Sequence, residues 1–222
     1  MPQGRSEYNI AEKRMKHSRR LRTALILAVL TGISVPPSAN ADVVVRKSIS
    51  YFQIGGKTAA ELDAELSRKG PFTQASGSRH PGATQIRFGG DLTYAQRGNR
   101  CAVEDVRVTV DTKIIIPRWK NRKRASPEMA TLWDALSSDI KRHEERHAEI
   151  ARQHAKLLEQ RLLKLRPTRD CETLQARASE VTDEVTVAHD EAQIRFDRVE
   201  AKNFQDRMLR ILRHRLETQE NQ

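Results

Sequence analysis

The chain has 222 residues, 37% of them hydrophobic, 31% charged and only 5% aromatic, with a formal net charge of +11. That length suits one domain, or one domain with an appendage. The balance is too apolar for a disordered tail and too polar for a chain embedded in a membrane.

The first 41 residues have the three-part layout of a secretory signal. Arg14 to Arg22 are basic, Thr23 to Val35 are a nearly unbroken apolar run of 13 residues, and Pro36 to Ala41 end in small residues, with Ala39 and Ala41 two apart. A bilayer span needs roughly 20 apolar residues, so the run reads as a signal cut after Ala41 and leaves no stable membrane span. Removing it takes away seven Lys/Arg and two acids and lowers the net charge to +6. The expectation is an exported protein, periplasmic or secreted.

The mature chain, 42–222, reads as one α+β domain. Val43 to Phe52 favour an extended segment that Gly55-Gly56 ends. Thr58 to Glu61 have capping-box spacing, Leu62 and Leu66 share a helical face, and Gly70-Pro71 stop that helix. Thr84 to Tyr94 and Cys101 to Ile116 are further extended runs joined through Gly98-Asn99 as a hairpin. Val106, Val108 and Val110 alternate, with Val103 just out of phase. Gly89-Gly90 predict a bulge or a close backbone approach, and Pro117 marks the end of the last strand. A small antiparallel sheet with a short helix is the expected product of residues 42–117.

Residues 118–125 carry the basic run Arg118 to Arg124. With Trp119 as its only aromatic platform, it reads as a solvated loop and argues against nucleic-acid binding. An anionic envelope polymer is a weaker alternative for it. The two cysteines, Cys101 and Cys171, form an even count in an oxidising compartment and read as a disulfide. It closes a loop of about 70 residues, for which the chain-entropy estimate is roughly 4 kcal/mol.

From residue 126 onward the chain reads as a helical hairpin. Ser126-Pro127-Glu128 supply an N-cap, a first-turn proline and an early acid. Met129, Leu132, Leu136, Ile140, His143, His147, Ile150, His154 and Leu157 recur at steps of three or four, which predicts one buried stripe. A second helix starts near Glu172, carries Leu174 to Val199 on one face and runs to about Leu216, with the turn at Pro167 to Asp170.

His143-Glu144-Glu145-Arg146-His147 is an HExxH motif inside the first long helix. Imidazoles at i and i+4 point the same way and reach one Zn²⁺, while Glu144 is placed to take a proton from water. A third metal ligand is needed. His154 lies about 16 Å from His143 along an unbroken helix, too far to share an ion. Reflecting the hairpin about residues 167–168 brings His189 to the level of His143 and His147. His189 is therefore the expected third ligand, with Glu191, Asp197 and Glu200 as oxygen alternatives.

These residues resemble a family, the exported bacterial proteins grouped as domain of unknown function 922 and described as predicted secreted zinc-dependent proteases. The resemblance rests on Tyr51 to Thr58 with Glu61-Leu62, on Gly70-Pro71, on the Cys101 strand ending Ile116-Pro117-Arg118-Trp119, on His143 to His147, and on Gln193 with Phe196-Asp197. Some relatives follow that last pair with Thr-x-His-Gly, where this chain has Glu200-Ala201-Lys202-Asn203. The resemblance implies a zincin-like α+β metalloprotease with His143 and His147 as zinc ligands and Glu144 as catalytic acid/base, acting on a peptide or protein substrate. The rival expectation is a non-catalytic cell-envelope protein whose helical hairpin presents a partner-binding surface.

Overall fold

The computed structural model describes residues 40–74 and 77–220. The expected signal segment therefore lies, apart from its last two residues, outside the described residues. In chain order the elements are β1 (Asn40–Ile54), α1 (Ala59–Lys69), β2 (Phe72–Thr73), β3 (Ser78–Arg79), β4 (Ala83–Arg97), β5 (Arg100–Trp119), a 3-10 turn (Arg122–Arg124), α2 (Pro127–Leu163) and α3 (Cys171–Glu220). The molecule is α+β, a three-stranded sheet with the long helices packed on it.

β5 is the central strand, flanked by β1 and β4. β4 meets it as an antiparallel hairpin closed at Arg97 and Arg100, with Gly98 at φ 62° supplying the left-handed turn residue. β1, in contrast, runs parallel to β5 in unbroken register from Asn40 opposite Asp105 to Ile54 opposite Trp119. The sheet is thus mixed rather than antiparallel. Alternating side chains tell which residues form strands and which face they bury, but not the order of neighbours. Here α1, the β2–β3 hairpin and β4 intervene before the chain returns to pair β5 with β1.

The out-of-phase Val103 marks a bulge, since Thr93 pairs with Asp105 and Tyr94 with Val103, leaving Glu104 as the extra residue. Pairing at Gly89-Gly90 is regular, and the backbones approach closely there: a Cβ on Gly90 would stand 2.1 Å from the Arg107 carbonyl oxygen. Pro117 does not end β5, which continues to Trp119. β4 begins opposite Ile115, so beyond that point β5 is an edge on one side and tolerates a residue without an N–H.

Val106, Val108, Val110, Ile114 and Ile116 of β5 turn the same way and are buried. Against the three valines lie Phe88 of β4, Ala151, Ala155, Leu158 and Leu162 of α2, and Ala178 and Val185 of α3, while Ile114 and Ile116 meet Ile140 and Ala148 of α2. A second cluster gathers Ile54, Leu62, Leu66, Trp119 and Trp133, which fixes α1 and the start of α2 to the ends of β1 and β5. Trp119 is therefore a core residue, its indole N–H donating to the Gly56 carbonyl at 3.0 Å. Within the basic run, Arg118 stacks over Tyr51 and Arg122 forks onto Asp134.

α2 is capped by Ser126 with Pro127 in its first turn, and α3 by the Asp170 carboxylate, which accepts from the Thr173 N–H at 2.6 Å. The buried face of α2 is rotated from the expected stripe. It runs through Ile140, Glu144, Ala148, Ala151, Ala155, Leu158 and Leu162, while Leu157 is exposed and the histidines are half-buried beside it. The rotation follows from two partners: small alanines let α2 lie close on the sheet, and the histidine flank meets α3. Cys101 and Cys171 form the expected disulfide, next to backbone hydrogen bonds between Cys101 and Thr168. No helix among the described residues is long and apolar enough to cross a membrane.

Candidate metal centre

His143 and His147 stand one turn apart on α2, and their Nε2 atoms lie 3.0 Å from each other. Asp197 of α3 presents its Oδ1 to both, at 3.3 Å from His143 Nε2 and 3.0 Å from His147 Nε2. Among the described residues this is the group of three potential ligands whose donor atoms all fall within 4.8 Å. Phe196 stacks on His143 and meets His147 edge-on, with ring centroids 4.9 and 5.0 Å away, which fixes both imidazoles from the α3 side.

The chemistry of this donor set fits a divalent cation. Three ligands held at 2.0–2.1 Å around a tetrahedral ion are separated from one another by about 3.3 Å, close to the observed triangle. Two protonated Nε2 atoms at 3.0 Å would set N–H against N–H, so at most one can carry a hydrogen. A cation satisfies all three atoms together. On the far side of the rings, His147 Nδ1 donates to Gln193 Oε1, while His143 Nδ1 faces the Glu200 carboxylate at the longer distance of 3.6 Å. A partner of this kind on the far nitrogen turns the near lone pair toward a metal. The open side of the triangle is Asp197, whose side chain is about half exposed.

Electrostatics follow the same layout. Burial opposes ionisation of Asp197, but the two histidines outweigh it and hold its carboxyl far below the usual carboxylate range. Burial likewise opposes charging His147, yet the Asp197 and Gln193 contacts leave its imidazole above the ordinary value. Glu144 is the buried member of the motif, on the sheet side of α2. Thr84 of β4 donates its hydroxyl to Glu144 Oε2 at 2.9 Å and also lies 2.9 Å from the Glu144 carbonyl. Burial pushes the Glu144 carboxyl up, and the Thr84 hydrogen bond and nearby histidines only partly offset it.

A sequence model of the family DUF922, described as a bacterial protein of unknown function, matches residues 49–204. The chain belongs to DUF922. The matched segment of this DUF922 chain contains His143, Glu144, His147, Gln193 and Asp197. No curated protein and no solved structure matches it.

The other expected residues have other places. His189 lies outside the triangle: its Nδ1 meets Asp190 Oδ1 at 3.0 Å, its Nε2 meets Gln193 at 2.8 Å, and its ring abuts Phe88 and His154. Glu191 is exposed. Glu200 engages Arg142 and Arg207 besides facing His143. His154 hydrogen-bonds its own helix at the Ile150 carbonyl, 2.8 Å away. The sequence reading missed Thr84 and the pairing role of Gln193. Residues 189, 193, 197 and 200 follow one another at steps of four, four and three, and that periodicity was the available signal for one α3 face turned toward the motif.

Proposed function

We propose that this protein is an exported zinc-dependent peptidase in which His143, His147 and Asp197 hold the ion and Glu144 manages the protons. The observation that carries this reading is the convergence of His143 Nε2, His147 Nε2 and Asp197 Oδ1 within 3.0–3.3 Å of one another. Bound zinc would supply a Lewis acid that acidifies a water and polarises a scissile carbonyl. Two histidines and one carboxylate leave a coordination position free for that chemistry. The Cys101–Cys171 disulfide supports an oxidising compartment, in keeping with the signal read at residues 1–41.

The chain's own contribution centres on Glu144. Thr84 ties down Oε2, which leaves Oε1 to take a proton as the water oxygen adds to the carbonyl carbon. Glu144 then gives that proton to the departing amine nitrogen as the C–N bond breaks, and the products are a carboxylic acid and an amine. Gly82 borders Oε1 so closely that a Cβ there would stand 2.8 Å from it. Burial of Glu144 and its raised carboxyl suit a group that must both accept and return a proton.

Elemental analysis of the mature chain, from Asp42 and without a histidine tag, tests the site. About one zinc per chain is expected, lost in His143→Ala/His147→Ala and in Asp197→Ala. Peptide hydrolysis present in the wild type and absent in Glu144→Gln completes the test. No zinc after reconstitution would remove the peptidase reading and leave the helical hairpin as a binding surface.

A further inference from the structure

Behind the triangle lies a chain of hydrogen bonds that reaches from the surface of α3 to His147. Gln193 Nε2 lies 3.1 Å from the His147 carbonyl oxygen and 2.8 Å from His189 Nε2. The carbonyl is an acceptor only, so this end of the amide is the N–H₂ group and the other end, Oε1, faces His147 Nδ1. An NH₂ donating to His189 Nε2 requires a lone pair there, which puts the His189 hydrogen on Nδ1, where Asp190 Oδ1 accepts it. His189 is buried, with 6% of its surface exposed, so water does not compete at its Nε2.

We propose that Gln193, held by His189 and Asp190, is the positioning residue that fixes His147 as the Nδ1–H tautomer and aims its Nε2 lone pair at the metal. The proposal rests on the zinc reading above and deepens it. Every group in the series has one orientation left to it. Asp190 can only accept, His189 then accepts at Nε2, Gln193 then donates there and accepts at Oε1, and His147 then donates from Nδ1. Gln193 also grips the α2 backbone at the carbonyl of the residue whose ring it orients, which anchors its amide, so the ring cannot turn without losing the Nδ1 hydrogen bond. His189 serves the metal through Gln193 rather than by direct ligation.

The test is zinc affinity by competition with a chromophoric chelator, together with the visible spectrum of the cobalt-substituted protein. Gln193→Leu keeps the bulk and loses both polar ends. It is expected to weaken zinc binding about 10- to 100-fold and to alter the cobalt spectrum, with a smaller loss of stability in the metal-free protein from the hydrogen bonds removed. Gln193→Glu keeps the acceptor for His147 Nδ1 but sets an oxygen against the His147 carbonyl, and is expected to recover part of the affinity. His189→Ala should produce a smaller loss than Gln193→Leu.

Wild-type affinity in Gln193→Leu would overturn the proposal while leaving the zinc site intact. A loss matched by an equal fall in metal-free stability, with no recovery in Gln193→Glu, would also overturn it, because Gln193 would then serve only the fold. Absence of zinc binding in the wild type would instead remove the underlying site and the proposal with it.

Discussion

Glu144 is held where the proposed peptidase chemistry would use it and where the fold would do without it. Its carboxylate is 5% exposed, with one hydroxyl partner and no cation of its own among the described residues. Burying a carboxylate with so little compensation costs stability, and burial accordingly pushes its carboxyl up. Glu144→Gln keeps the shape and the Thr84 hydrogen bond while removing the charge. The expected result is peptide hydrolysis reduced by about 10²- to 10⁴-fold, with zinc content unchanged. In the metal-free protein the same substitution should stabilise by about 0.5–2 kcal/mol at neutral pH. Calorimetry on the apo form and a progress curve on the zinc form measure the two effects separately. A Gln variant that is less stable and fully active would place Glu144 among ordinary structural residues.

At the scale of elements, the site depends on how α3 is registered against α2, and a charged knot one turn from the metal triangle sets that register. Asp139, 5% exposed, accepts from Arg142 on its own helix at 2.9 Å and from Arg207 of α3 at 2.8 Å. Both arginines also reach Glu200. Burial would raise the Asp139 carboxyl, but the hydrogen bonds from Arg207 and Arg142 and their charge prevail and hold it below its ordinary value of 3.8. A depressed carboxyl contributes stability above the unfolded value and loses it as pH falls through the folded one. The wild type should therefore lose stability steeply below about pH 4. Asp139→Asn should cost about 2–3 kcal/mol at pH 7, less than the roughly 3–5 of a fully buried pair because Arg142 keeps contact with water. It should also show a flatter acid limb in denaturant titrations, and equal acid limbs would remove Asp139 from the coupling. The same register explains what the sequence could show of the site. HExxH, the Ser126 cap, the turn and the disulfide are local or pairwise signals and were legible as such, whereas the Asp170 cap was not. The partner of His143 was not, because the two helices end at Leu163 and begin at Cys171, and their facing residues centre on Asp170 rather than on 167–168. Each residue of error in that centre moves the partner by two, so a centre at 167–168 points near residue 192 and favours His189, with Asp197 left as an oxygen alternative. The parallel pairing of β1 was hidden for a related reason: side-chain alternation is blind to which strand lies alongside.

Over the whole molecule, the helical hairpin is fastened to the sheet near its turn and to itself near its middle. The disulfide joins Cys101, buried at the start of β5, to Cys171 at the first turn of α3, and paired backbone bonds between Cys101 and Thr168 reinforce that end. The middle is spanned by the metal triangle and by Asp139, while α3 beyond residue 200 is largely exposed. These two fastenings act on different parts of the chain and should fail differently. Cys101→Ser/Cys171→Ser releases a 70-residue loop in the unfolded chain, for which the entropy estimate is about 4 kcal/mol. That is a fall in melting temperature of roughly 10 °C for a chain of this size. Because the constraint acts on the unfolded state, the double variant should still bind zinc with nearly wild-type affinity once folded. On the proposed zinc reading, a chelator acts instead on the native state, by removing the mass-action stabilisation a ligand confers. Loss of zinc frees α3 from α2 around Asp197 while the disulfide keeps the turn in place. Hydrogen exchange should accordingly speed up in α3 from about residue 190 onward when zinc is withdrawn, with residues 171–185 and the central strand protected as before. If exchange rises uniformly across α2, α3 and β5, the metal and the disulfide stabilise one cooperative unit, and the separation of the two fastenings is wrong.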